Sequence, residues 1–343
     1  MSVVKLKDIA QALGLSYSTV SRALKDNYRI SEATRNQVKE YAARIKYKPN
    51  VAAQSLRNNR TRSIGLIVPN VSNNFFSEVI NGIESIGYER NYQVIITQSQ
   101  ESFDKESKNI DTLMSRSVDG LLVSLSSTST NIGQLTEIHD IGTPVVFFDR
   151  IPDLDDTHTV VVDNYTGAYD ATRHLLENGY PVIAHITSSP EMSITRERLE
   201  GYKKALKEFN IPYRKELVKY CAHGGMLLPE VETAIEGLMQ LQKKPCAIIT
   251  ASDRITISTM AYLHQKNIEI PGQIAVAGFS NFSVPQIFQP PLTTIRQPAF
   301  EMGKAAAELL IRLIESKKPI DTFEKIVLPT TLTIRASTAK ISK

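Results

Sequence analysis

Beyond residue 62 the chain keeps returning to one unit, a short run of Val, Ile and Leu followed by an amphipathic helical stretch. The apolar runs lie at 63–68, 93–97, 120–125, 145–149, 160–163, 182–186, 247–250 and 274–279. Helical periodicity fills the gaps at 74–90, 103–116, 132–141, 165–178, 196–209, 229–242, 254–266 and 298–316. A strand that is apolar along its whole length must be covered on both faces, and strands alternating with helices pair in parallel. Eight such units are too many for one small open sheet. The pattern therefore predicts an α/β body of doubly wound parallel sheets divided by a cleft. At 343 residues the chain also exceeds what one ordinary core supports.

The first 62 residues follow a different pattern. In LKDIAQALGLSYSTVSRAL (6–24), Ile9, Ala10 and Leu13 share one helical face, and Val20, Ala23 and Leu24 share another. Gly14 can end the first helix in a left-handed conformation, and Ser16 is placed to cap the second. That second helix turns Tyr17, Ser18, Ser21 and Arg22 outward. A third helix, capped by Ser31, carries Val38, Ala42 and Ile45 inward and must stop near Lys46, because Pro49 disfavours helix before it. Two helices around a glycine turn, with a polar and basic outer face, form the helix-turn-helix that enters a DNA major groove. Many small helical pairs share that periodicity, so charge carries weight. Residues 1–62 hold 13 Lys and Arg against 4 Asp and Glu, a net charge of +9. The whole chain is +4, which leaves −5 on the rest. A basic head on a mildly acidic body is the footprint of a polyanionic partner. The segment Asn50–Arg57 has good helix formers but only two turns, too few to hold a helix alone, and reads by itself as a linker.

Other classes are poorly supported. No apolar run reaches the roughly 18 residues needed to cross a bilayer. The N-terminus shows no secretory leader, so a cytoplasmic location is expected. Cys221 and Cys246 are the only cysteines and read as ordinary core or pocket-edge thiols. The six histidines (139, 158, 174, 185, 223 and 264) show no metal-ligand spacing. There is no Gly-rich phosphate loop and no Gly-x-Ser-x-Gly elbow, so neither an enzyme nor a cofactor is implied.

Ligands of open α/β sheets sit beyond the carboxyl ends of the strands. Those ends here are Pro69–Phe76, Ser124–Ser126, Asp149–Arg150, Ser252–Asp253 and Ser280–Asn281, with Arg196 in the loop before a helix. Acids, guanidinium groups and hydroxyls beside aromatic rings suit a small hydroxylated ligand. Such residues also cap helices, solvate loops or bridge lobes. His223, in Tyr220-Cys-Ala-His-Gly-Gly, reads as a pocket-rim contact.

The runs LKDIAQALGLSYSTVSRALKD, ISEATRNQVKEYAARIKYKPN and VAAQSLR resemble the N-terminal region of the LacI–GalR family of bacterial transcription regulators. The likeness continues through IGLIVPNVSNNFF, VVFFDR, TRERLEGYKKAL, AIITASD, VAGFSN and PLTTIRQP, almost to the C-terminus. It implies a helix-turn-helix head (1–49), a hinge helix and linker (50–62), and a two-lobed body (63–343) like a periplasmic sugar-binding protein. Lobe 1 is then about 63–162 and 294–325, and lobe 2 about 163–293 and 326–343. The chain would cross near Asp163, near Leu292–Thr294 and near Ile326, and the strand-like Thr331–Arg335 would return to lobe 2. A tetramer-forming tail is not implied, because leucine heptads are missing after Arg335.

The resemblance assigns roles. Tyr17, Ser18 and Arg22 are the base-edge candidates, and Ser16, Thr19, Ser21, Ser31, Thr34, Asn50 and Arg57 the phosphate contacts. Arg60 and Arg62 add nearby phosphate-directed charge. Ala53 and Leu56 would lie in the minor groove, with Leu56 as the wedge. Phe75 and Phe76 would wall an effector pocket containing Ser126, Asp149, Arg150, Ser252, Asp253 and Ser280. Arg196 would be a direct contact and Arg198 a helix-side one. Relatives often carry Asp where this chain has Ser280. That loss of an acid, beside Arg150 and Arg196, favours a sugar acid or sugar phosphate over a neutral hexose. PLTTIRQP reads as the crossover and dimer-side segment. The implied protein is a homodimeric regulator on a near-palindromic operator, controlled by a carbohydrate-type effector. Two alternatives remain: a phosphocarrier protein as the signal, as in catabolite-control relatives, and a sugar-binding transport protein, which has no use for a basic head.

Overall fold

The computed structural model describes residues 5–47, 60–129, 131–316 and 322–340. The chain divides into two compact units, Met1–Thr61 and Arg62–Lys343. The predicted hinge helix, with Asn50, Ala53, Leu56 and Arg57, lies outside the described residues.

In the first unit, α1 (Leu6–Leu13), α2 (Tyr17–Ala23) and α3 (Glu32–Arg44) close around Ile9, Ala10, Val20, Ala23, Val38 and Ala42. Leu13, Leu24 and Ile45 pack at the margin of this core, half-buried. Gly14 ends α1 with φ +62°, and Lys46 follows α3 with φ +50°.

The second unit contains two six-stranded sheets. Its elements in order are β1 (Ser63–Val68), α4 (Asn74–Glu89), β2 (Gln93–Gln98), α5 (Phe103–Ser115), β3 (Leu121–Val123), α6 (Gly133–Asp140), β4 (Val145–Phe148) and β5 (His158–Val162). Next come α7 (Asn164–Glu177), β6 (Ile183–Thr187), α8 (Ser193–Glu208), β7 (Val218–Tyr220), α9 (Leu228–Met239), β8 (Ala247–Thr250), α10 (Asp253–Gln265) and β9 (Ala275–Phe279). The chain closes with β10 (Thr293–Arg296), α11 (Ala299–Glu315), β11 (Lys325–Leu328) and β12 (Thr331–Thr333). The first sheet runs β11-β5-β4-β3-β1-β2 and is wholly parallel. The second runs β12-β10-β9-β8-β6-β7, with only β12 antiparallel. β1, β4, β5, β6, β8 and β9 are buried almost throughout, as their continuous apolar sequences require.

Two of the expected lobe crossings move. Thr293–Ile295 pair with Ala277–Phe279, so β10 belongs to the second sheet and the chain leaves that lobe only after Arg296. Ile326 pairs with Val160, so β11 belongs to the first sheet and the crossing follows Leu328. β7, β10 and β11 are not predicted as strands. Each is short, and VKY, TTIR and KIVL mix polar with apolar residues. The first crossing, at Asp163, stands between β5 and α7.

All three crossings leave from strand carboxyl ends, those of β5, β10 and β11. The two sheets therefore turn their carboxyl ends toward each other, and strand-end residues meet across the interlobe cleft. No helix among the described residues is long and apolar enough to cross a membrane.

Candidate nucleic-acid interface and interlobe pocket

In the head, capping chemistry orients the exposed face. Ser16 Oγ accepts the Thr19 amide at 3.0 Å, and the two hydroxyls lie 2.8 Å apart. Ser31 and Thr34 repeat the arrangement at the start of α3, at 3.3 and 2.8 Å. Among the phosphate candidates, Ser16, Thr19, Ser31 and Thr34 thus first define helix starts, whose amides also favour an anion. Val20 and Ala23 face the core, which leaves Tyr17, Ser18 and Arg22 exposed together on the opposite side of α2. Ser21 is half-buried. Three side chains able to donate or accept hydrogen bonds, on one face of a helix fixed at its start by a cap, form a surface that can probe base edges.

In the body, Asp149 directly follows β4 with φ +57°, a backbone that Asp tolerates better than most residues. Its carboxyl is buried. Burial pushes its pKa up, against the pull of Arg150 and Arg198. Arg150 is held by Glu101, with Nη1 at 2.8 Å from both carboxylate oxygens, and its guanidinium lies 5.7 Å from the Phe76 ring centroid. Glu101 also accepts the Ser127 amide at 2.7 Å. Burial alone would raise the Glu101 pKa, but Arg150 and the Ser127 contact outweigh it and hold it low. Ser126 donates its amide to Glu106 at 2.7 Å, and Ser129 donates its hydroxyl to the same carboxylate. Burial raises the Glu106 pKa despite those two donors.

From the other lobe, Arg198 is the buried guanidinium. Its Nε donates to Asn164 Oδ1 at 2.9 Å and its Nη1 to the Ala251 carbonyl, and it lies 3.9 Å from the Phe279 centroid. Burial lowers its pKa to about 10. Arg198 thus makes helix-side contacts within lobe 2, as expected of it. Arg196 is exposed and pairs with Asp153 at 3.3 Å and the Glu191 carbonyl at 2.7 Å, outside the buried set.

The remaining candidates bridge or cap. Asp253 accepts the Asn281 amide at 2.8 Å, and its pKa is raised by burial against the Ser280 hydroxyl and the Asn281 and Phe75 amides. Asn281 Nδ2 donates to Glu78 and to the Gln297 carbonyl, each at 2.8 Å, and so ties lobe 2 to α4 of lobe 1. Ser252 caps α10 by accepting the Ile255 amide at 3.3 Å. Ser280 is buried and accepts the Phe282 amide at 3.3 Å. Phe75 and Phe76 are buried edge to face, 5.2 Å apart. His223 is half exposed, with Nδ1 2.6 Å from Glu230.

The structure therefore brings Phe76, Asp149, Arg150 and Arg198 together, gathers Asp253, Ser280 and Asn281 beside them, and leaves Arg196 and His223 at the margin. Sequence reasoning missed Glu101, Glu106, Glu78, Asn164 and Gln297. The strand-end rule applied to β2 points to Ser99–Glu101; the others lie within helices or the crossover, where only tertiary contact reveals them. Arg150 is paired with Glu101, whereas Arg198 donates to two neutral acceptors and has Asp149, Glu197 and Asp253 as its nearest acids. Among the described residues no group of three His, Cys, Asp or Glu could hold a metal.

The family model described as bacterial regulatory proteins, lacI family, matches residues 5–50. That described as periplasmic binding proteins and sugar binding domain of LacI family matches residues 61–335. The HTH-type transcriptional repressor PurR of Vibrio vulnificus (strain CMCP6) is 33% identical over 314 residues, 91% of this chain and 92% of that protein. A transcriptional regulator CelR–cellobiose complex is 26% identical, with TM-score 0.70 over 97% of this chain and 99% of that one. The lac repressor dimer bound to operator and the anti-inducer ONPF reaches TM-score 0.84 over 98% and 100% at 21% identity, a likeness of fold.

Proposed function

The chain belongs to the LacI family of bacterial regulatory proteins, and from that premise we propose that it is an operator-binding repressor controlled by a neutral, polyhydroxylated effector in the interlobe cleft. The observation that carries the DNA half is the joint exposure of Tyr17, Ser18 and Arg22 on the capped helix α2. Two such helices in a homodimer read the half-sites of a near-palindrome. Residues 50–62 act as the hinge, with Ala53 and Leu56 in the minor groove and Arg57 and Asn50 on phosphates. Met226, Leu227 and Leu228 are consecutive exposed apolar residues, available to a second copy.

The observation that carries the effector half is the Glu101–Arg150 pair. A sugar acid or sugar phosphate needs an uncommitted cation. Arg150 is neutralised by Glu101, Arg196 faces outward onto Asp153, and Arg198 already has the carboxylates of Asp149, Glu197 and Asp253 near it. A neutral sugar instead offers hydroxyls to the strand-end groups Asp149, Asp253 and Ser280, and an apolar ring face to Phe76. The cellobiose bound to CelR fits this class.

The test is a melting-curve panel on the full chain with neutral sugars, sugar acids, sugar phosphates and nucleobases. A ligand at about one hundred times its Kd adds about 2.7 kcal/mol of stability. A shift with neutral sugars alone supports the reading. A shift with acids or phosphates alone overturns the effector class, and silence throughout turns attention to a phosphocarrier protein.

A further inference from the structure

Arg62 is the first residue of the body, where the chain arrives from the head. The sequence suggests a phosphate-directed cation there. Its polar groups are turned to the body instead. The amide donates to Asp119 Oδ2 at 2.8 Å, and the carbonyl accepts the Gln93 amide at 2.8 Å. The guanidinium reaches Glu315 Oε1 at 3.0 Å and the Arg90 carbonyl at 3.4 Å, and lies 4.8 Å from the Tyr92 ring centroid. The backbone is left-handed, φ +56°, although the residue is not glycine. A β-carbon-bearing residue keeps that conformation when its surroundings hold it there.

The partners of the guanidinium identify what is held. Arg90 closes α4, and Glu315 is the last residue of α11. Both helices begin at the cleft. α4 starts beside Phe75, Phe76 and Glu78, and α11 starts two residues after the crossing from lobe 2. At 1.5 Å per residue, the 16 residues of α4 span about 24 Å from cleft to Arg62. The two helices touch backbone to backbone. A β-carbon on Gly82 would stand 2.1 Å from the Phe300 carbonyl oxygen, and one on Gly303 would stand 2.1 Å from that of Val79. Helices this close move as one piece.

We propose that Arg62 is a positioning residue, a clamp that fixes the arriving chain to the far end of the α4–α11 pair, so that the state of the cleft sets the state of the hinge. It makes no contact with DNA. The proposal rests on the DNA-binding reading above.

The experiment uses the full chain, a duplex enriched from random DNA by that chain, and a scrambled duplex of equal composition. Arg62→Ala and Glu315→Gln should each lose about fivefold or more of the preference for the enriched duplex, the scale of an ordinary coupling between sites. Binding to the scrambled duplex, and the slope of log K against log salt, should stay as in the unaltered chain. Glu315→Gln is decisive because it keeps the Arg62 charge. A phosphate contact predicts the opposite: Arg62→Ala weakens both duplexes and lowers the slope by about 0.9, while Glu315→Gln frees the guanidinium and tightens binding. That result, or full preference in both variants, overturns the clamp. Arg62→Glu combined with Glu315→Arg should recover preference lost by Arg62→Glu alone, which a folding defect would not do. If the unaltered chain enriches no duplex, the DNA-binding reading fails first and the clamp falls with it.

Discussion

Replacing Glu101 by alanine leaves the Arg150 guanidinium inside the body with the Asp149 carboxylate, 3.9 Å away, as its remaining counter-ion. The two side chains are 7% and 14% exposed, so solvent screens the loss poorly. The change removes both 2.8 Å contacts and the acceptor of the Ser127 amide. Breaking one side of a buried pair costs about 3–5 kcal/mol, because the remaining charge is desolvated and uncompensated. Because Asp149 still faces Arg150, we expect the lower end, about 3 kcal/mol, for Glu101→Ala. Converting both residues to methionine removes the charge together with its need for a partner but still leaves the Ser127 amide without its acceptor, and should cost about 1–2 kcal/mol, less than the single change. The assay is urea unfolding of the full chain followed by far-ultraviolet circular dichroism, since the sequence has no tryptophan. The pH dependence has a definite sign. The Glu101 pKa is depressed in the fold, so its contribution is present above the ordinary carboxylate range and is lost as pH falls through the depressed value. Glu101→Ala should therefore flatten the acid limb of the stability curve. A Glu101→Ala protein within about 1 kcal/mol of the unaltered chain, or a double variant less stable than the single one, would refute the pairing argument.

Arg22→Ala should cost about 1–3 kcal/mol of discrimination between operator and scrambled duplex, the worth of one bidentate base contact; retained discrimination removes Arg22 from base readout. Gly82→Ala places a methyl group 2.1 Å from a backbone oxygen that cannot rotate away, and should destabilise the body by about 3 kcal/mol; an unchanged melting curve would show that α4 and α11 separate easily. His185 is fully buried and stacked on Tyr202, and burial lowers its pKa from 6.5 to about 4. Its neutral form supports the fold above 6.5, and that support is lost as pH falls toward 4, by up to about 1.4 kcal/mol per pH unit. His185→Phe should remove this slope, and an identical slope in the variant would assign it to other groups.

Much of the body was legible because burial on both faces forces continuous apolar strands. β1 and β8 fall at the predicted boundaries for that reason. β7, β10 and β11 were not legible, since β7 and β11 are edge strands, β10 lies next to an edge, and their hydrogen bonding depends on neighbours distant in sequence. The head was readable from Gly14, Ser16 and Ser31, whose local chemistry fixes where helices stop and start. The pocket was readable only in part. Asp149, Arg150 and Asp253 follow from the strand-end rule, but the rule cannot say which charges neutralise one another. That Arg150 belongs to Glu101, forty-nine residues earlier, emerges only when β2 and β4 lie in one sheet. Arg196 and Arg198 are two residues apart in the first turns of α8, and the helix rotation alone decides which one enters the core.

The most direct measurement compares the Kd of the full chain for its enriched duplex with that for a scrambled duplex at one fixed salt concentration. Reading of base edges by α2 predicts a near-palindromic enriched sequence bound at least about a thousandfold more tightly than the scrambled one. Equal affinity for the two, with the same salt slope, would mean that the basic head grips phosphates alone and that Tyr17, Ser18 and Arg22 do not read sequence.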